Sequence, residues 1–257
     1  CAGAAFATIT AQAISGLCCL IFIIKKVQIL HPKRKDCHLQ PVYVKEMLVM
    51  GLPMGLQFSI TAIGSMVMQS ANNGLGSIYV SGFTAGMRIK QFAMCPFDAL
   101  ANGVSVFCSQ NLGAGKIKRI RKGLWQGVGV GFIYGLLIGL VLIFAGRPLS
   151  MLFISADQTA VLDASAKYLR CLGFFYWSLG PLSVFRMSAQ GMGFSGRAIF
   201  SGVTEMIART FVSFAFVGTY GFTAICFADQ TAWVSATLYI TPVCLMCLRQ
   251  VTREHER

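Results

Sequence analysis

Acidic residues are the scarcest resource in this sequence. Only 9 of 257 residues are Asp or Glu, against 22 Lys and Arg, and charged residues of both signs make up 12%. A soluble domain of this size carries about a quarter charged residues. Histidine is nearly absent, with His31, His38 and His255 all in polar segments. No Cys/His metal spacing, Walker-type loop or nucleophile elbow occurs. These absences argue against soluble enzyme chemistry, and no catalytic residue, metal site or cofactor is expected. The 10 cysteines form no disulfide framework, because most lie in apolar runs, where Cys behaves as a small hydrophobe. The one C-x-x-C string, Cys244 to Cys247, sits in such a run and reads as packing.

What is abundant is apolar sequence. Hydrophobic residues make up 55% and the mean hydropathy is +0.65. Seven apolar stretches occur, at 2–24, 47–70, 83–110, 124–146, 168–190, 199–220 and 231–248. About 20 residues is the length a roughly 30 Å hydrocarbon layer demands of an α-helix. The expected fold class is therefore an all-α membrane protein: a six-helix transmembrane bundle preceded by one further spanning helix.

The basic residues are divided by face. The first, third and fifth connections and the tail hold Lys25, Lys26, Lys33, Arg34, Lys35, Lys45, Lys116, Lys118, Arg119, Arg121, Lys122, Arg197, Arg249, Arg253 and Arg257. The second, fourth and sixth, with their helix ends, hold Arg147, Lys167 and Arg170. Fifteen against three marks the first set as cytoplasmic. Residues 72–76 and 228–230 then belong outside, as does residue 1, while the C-terminus is cytoplasmic. Attraction to anionic headgroups is a sufficient use for the +13 net charge, so no nucleic-acid partner is expected.

Residue 1 is Cys, and an apolar helix begins at once. A fragment preceded by five more spanning helices would satisfy the topology. The expected organisation is a helix at 1–24 from an absent N-terminal lobe, a basic linker at 25–45, a six-helix lobe at 46–248 and a tail at 249–257.

A polar group inside a spanning helix is a functional candidate by default. In the third stretch Arg88, Gln91, Cys95, Asp98, Asn102, Ser105 and Ser109 follow spacings of three and four, so they share one helix face. Pro96 kinks the helix beside Asp98. The stripe reads as the wall of a water-filled cavity; interhelical hydrogen bonding is the plainer alternative. Gln57, Thr61 and Ser65 repeat the theme on the second stretch. Glu205 and Arg209 stand four apart and read as a structural ion pair or gate, with Arg186 within reach. Gly127, Gly129 and Gly131 lie in an apolar helix and read as close packing.

Several strings resemble the multidrug and toxic compound extrusion (MATE) family. Met47-Leu48-Val49-Met50-Gly51-Leu52-Pro53-Met54-Gly55-Leu56-Gln57 resembles the opening of its seventh helix. Ser109-Gln110-Asn111-Leu112-Gly113-Ala114-Gly115-Lys116 resembles its loop after the eighth. Arg186, Gln190, Gly191 and Gly193 resemble the end of the tenth. Glu205, Arg209 and the Ala228-Asp229…Trp233 stretch fit the eleventh helix and the loop beyond it, and residues 3–8 resemble the start of the sixth.

The resemblance implies two six-helix lobes and efflux of organic, cationic or amphipathic small molecules, driven by proton or sodium flow. The implied location is a bacterial cytoplasmic membrane; the implied partners are the substrate, the bilayer and the absent lobe. One branch of the family binds its cation with a Glu in the seventh helix and an Asp in the tenth. This chain offers Gln57, Ser59 and Thr61 in the former and no acid in the latter. A lipid-linked saccharide flippase and a seven-helix receptor are the alternative readings.

Overall fold

The computed structural model describes residues 2–27 and 40–255. The basic run Lys33, Arg34 and Lys35, together with His31, His38 and Arg257, lies outside the described residues. Two units are present. The first contains the helix α1, Ala2–Lys26, whose apolar side chains such as Phe6, Ile14 and Phe22 are exposed, as befits a lipid-facing surface.

The second unit is a helical bundle starting at Met47, within α2 (Pro41–Asn73). It continues through α3 (Ser77–Gly113), α4 (Ile117–Ser150), α5 (Thr159–Phe175), α6 (Leu179–Gly191), α7 (Ser195–Ala215), the short α8 (Val217–Tyr220) and α9 (Phe222–His255). No strand occurs among the described residues. Among the described residues, six helices are long and apolar enough to cross a membrane. The fifth stretch, 168–190, is divided between α5 and α6, separated by a 3-10 turn at Tyr176–Ser178. Pro181 has no N–H to give the carbonyl of Trp177, and its ring crowds that carbonyl, which accounts for the tightened turn.

Two boundaries differ from the sequence expectation. The turn between α3 and α4 is only Ala114, Gly115 and Lys116, with Gly115 at φ +67°, so Lys118 to Lys122 form the first turns of α4 instead of a loop. Residues 228–230 are not an outer loop either: they lie inside α9, and Asp229 is fully buried. The connection from α7 to α9 is made by residues 216–221, where Gly221 (φ +55°) permits the reversal. Asp229 can lie there because Lys90, Arg209 and Tyr168 hold its carboxylate inside the bundle.

The bundle packs through small residues, because lipid gives apolar side chains no reason to leave it. Gly127, Gly131, Gly135, Gly139 and Gly146 form one buried edge of α4. A Cβ at Gly135 would lie 2.7 Å from the Trp177 Cα, and one at Gly131 3.1 Å from the Gly180 Cα. This close approach bears out the packing role expected of Gly127 and Gly131 but not of Gly129, where a Cβ would meet nothing within 4 Å. Leu136, Leu137, Leu140 and Phe144, on the other faces of α4, are exposed.

Candidate functional site

Five charged side chains meet in the bundle interior. Asp229 of α9 receives Lys90 Nζ from α3 at 2.7 Å and Arg209 Nε from α7 at 3.0 Å. Tyr168 of α5 donates its hydroxyl to Asp229 Oδ2 at 2.9 Å. Glu205, one turn before Arg209, pairs with Arg209 Nη1 at 3.4 Å and with Arg186 of α6. Arg186 Nε also donates to Ser201 Oγ at 2.9 Å. Arg209 Nη1 reaches the Thr61 carbonyl of α2 at 3.4 Å. Six helices are thereby joined through one network.

Burial decides its character. Asp229 is 0% exposed, Glu205 2% and Arg209 4%. Isolated charges this deep would be prohibitive, and each here is matched. The network holds three cations and two carboxylates. Lys90 also lies 5.9 Å above the Trp233 ring, and Tyr176 donates to the Lys90 carbonyl at 3.1 Å, fixing that turn of α3.

The structure brings Arg186, Glu205 and Arg209 together, in a network wider than the i,i+4 pair read from sequence. Gln57 is buried beside it and accepts from Gln190 Nε2 at 2.5 Å, while Gly202 leaves room for the Gln57 side chain. Thr61 is half-buried, and its Oγ1 has no partner among the described residues. Ser65 turns back on its own helix, donating to the Thr61 carbonyl at 3.2 Å.

The α3 stripe lies elsewhere. Arg88, Gln91, Cys95, Asp98, Asn102 and Ser109 are exposed, and Ser105 is half-buried. The opposite face of the same helix buries Ile89, Ala93, Phe97, Ala101, Val104 and Cys108. Asn102 donates to the Asp98 carbonyl at 2.8 Å, but the Asp98 carboxylate has no partner among the described residues. The expected pathway residues thus divide between two places. Gln57 and Thr61 face the buried charges, whereas Asp98 and its neighbours line an outer face.

Tyr168 and Ser201 are not candidates in the sequence, Asp229 enters only through the family resemblance, and Lys90 only among the basic residues a saccharide flippase would need. The usable signal was present in part: Lys90 and Asp229 are opposite charges inside membrane-spanning helices, and each demands a partner there. Nothing in the sequence says that they choose each other.

The MatE family model matches residues 53–214, more than half of the chain. The chain belongs to the MATE family. A relative, the probable multidrug resistance protein YpnP of Bacillus subtilis (strain 168), is 29% identical over 226 residues, covering 87% of this chain and 47% of that protein. The probable multidrug resistance protein YoeA of the same organism is 24% identical over 164 residues, covering 61% and 35%. A FAD transporter from Shewanella oneidensis is 27% identical over 133 residues, covering 52% and 29%. This chain spans about half the length, or less, of the curated relatives it matches. An outward-facing multidrug resistance MATE family transporter of the MOP superfamily superposes with a TM-score of 0.87 at 17% identity, over 97% of this chain and 56% of that one. A MATE in complex with MaL6 gives the same TM-score over 98% and 57%. At such identity the likeness concerns the fold, and the fold is that of part of a MATE transporter.

Proposed function

We propose that this chain supplies the C-terminal lobe of a cation-coupled antiporter. It exports organic, cationic or amphipathic small molecules by alternating access, using proton or sodium flow. The observation that carries this reading is the outer face of α3, where Asp98 presents an unpartnered carboxylate beside Pro96 on a continuous polar stripe. A stripe that served only to glue helices within this lobe would be buried and bonded across helices. This one is exposed, and Ser109 alone among its members bonds to another helix, at the Gly191 carbonyl. It suits a wetted wall between two lobes.

In this reading α1 belongs to the partner lobe, the segment 25–45 links the lobes, 46–248 forms the lobe and 249–257 the tail. The basic residues of the α3–α4 turn and the tail face the cytoplasm of a bacterial cell. Membership of the MATE family leaves no support for the receptor alternative, and nothing in the bundle favours an enzyme.

Efflux of a cationic dye by the full-length protein tests the proposal. Asp98→Asn removes the titrating charge and retains hydrogen bonding, so coupled efflux falls while surface expression holds. If Asp98→Asn transports normally with unchanged pH and sodium dependence, Asp98 has no part in coupling. Asp98→Leu should then fail in expression rather than transport.

A further inference from the structure

We propose that the end of the bundle where α4 begins and α9 finishes is a binding site for an anionic phospholipid. A cleft of about 400 Å³ there is lined by Arg121 and Trp125 of α4 and by Leu245, Leu248, Arg249 and Arg253 of α9. A neighbouring cleft of about 560 Å³ shares Arg121 and adds Lys116, Lys118 and Arg119. The cations converge from two helices, and none of them has an ion-pair partner among the described residues. Glu254, the one acid lining the adjoining hollow, already accepts from Gln250 at 2.9 Å.

Depth supports a lipid. Both α4 and α9 contain 34 residues. At 1.5 Å per residue each is about 50 Å long, well beyond a roughly 30 Å hydrocarbon core. Their ends therefore stand among headgroups. Trp125, one turn below Arg121, is 49% exposed and rests edge-on against Phe185, in the place an interfacial anchor takes. Met246, 60% exposed, carries the apolar surface on from the cleft. A guanidinium fork matches a phosphate in two hydrogen bonds, and three such forks surround this opening.

The mixed lining selects the source of the phosphate. A free phosphate would satisfy the arginines but leave Trp125 and Leu245 without an apolar partner. A phosphatidylglycerol molecule places its phosphodiester among Arg121, Arg249 and Arg253 and lays its acyl chains along the apolar wall. This inference is independent of the transported substrate.

The test uses the full-length protein in nanodiscs containing phosphatidylglycerol or phosphatidylcholine with brominated acyl chains. Tryptophan quenching should be stronger with brominated phosphatidylglycerol, and Trp125→Phe should abolish the difference. Removing headgroup cations weakens binding by about fivefold per charge. The Arg121→Gln/Arg249→Gln/Arg253→Gln variant should therefore lose the selective quenching, and Arg253→Gln alone should lose part of it. If the triple variant does not remain monodisperse, the single variant carries the test. Equal quenching by both lipids, or an unchanged preference in Arg253→Gln, overturns the proposal. Abolition of the preference by millimolar inorganic phosphate also overturns it, since the site would then take a free anion.

Discussion

Lys90 of α3 and Asp229 of α9 are 139 positions apart in the chain and 2.7 Å apart in the folded bundle. Asp229 is shared, because Arg209 and Tyr168 hold its carboxylate as well. The acid is thus the hub, and Lys90 has one carboxylate partner where Asp229 has two cations.

That asymmetry ranks substitutions. Asp229→Asn strands Lys90 and leaves Arg209 with Glu205 alone, and removing one partner of a buried pair costs about 3–5 kcal/mol. Lys90→Met leaves Asp229 still held by Arg209 and should cost less. The double variant Asp229→Asn/Lys90→Met should be milder than Asp229→Asn alone, since one stranded charge has gone. Thermal unfolding in detergent, read by monodisperse recovery, checks the order. Equal losses for both single variants would contradict the hub.

Glu205 joins α6 to α7 by holding Arg186 and Arg209. Glu205→Ala should markedly reduce folded yield, again by about 3–5 kcal/mol if both arginines stay charged. Ser201→Ala removes one neutral acceptor of Arg186 and should cost about 1 kcal/mol. Melting temperatures of the two variants, measured side by side, separate them; a larger shift for Ser201→Ala would exclude Glu205 as the main tie.

The glycine edge of α4 makes a steric prediction. Gly135→Val would drive Cβ to 2.7 Å from the Trp177 Cα and 2.9 Å from the Tyr176 carbonyl, and both are backbone atoms that cannot swing aside. Overpacking of this kind costs about 1–3 kcal/mol. A Cβ at Gly129 would meet nothing within 4 Å, so Gly129→Val should be tolerated. Size-exclusion profiles of the two variants provide the comparison, and an aggregated Gly129→Val would speak against it.

Accessibility tests the topology. In a cysteine-free background, a cysteine at position 73, exposed at the end of α2, should react with an impermeant reagent from outside, whereas positions 118 and 253 should not. A cysteine at 229 should resist labelling from either side of the folded protein, because that position is fully buried. Labelling of 118 from outside would invert the orientation.

Much of the architecture was legible from the sequence. Apolar length and the scarcity of charge indicate spanning helices, since each backbone must satisfy its own hydrogen bonds in lipid. The three-and-four spacing from Arg88 to Ser109 places those residues on one face, and the structure keeps them on the exposed face of α3. Helix ends were less legible. Lys118 to Lys122 look like a loop, yet α4 runs through them, because a helix longer than the hydrocarbon can carry its charges among headgroups. Asp229 looks like part of an outer loop for the same compositional reason, and lies deep in α9.

By itself, the sequence determined that the chain is helical, that it lives in a membrane and which residues share a helix face. Those properties follow from local hydropathy and the fixed 3.6-residue turn. Only the tertiary structure decided that Lys90, Tyr168, Arg186, Glu205, Arg209 and Asp229 form one network while Asp98 stands apart from it. Such partnerships depend on which faces of distant helices meet. Close approaches such as Gly86 of α3 against Tyr168 and Gly202 of α7 against Gln57 belong to that meeting, and no periodicity within one helix encodes them.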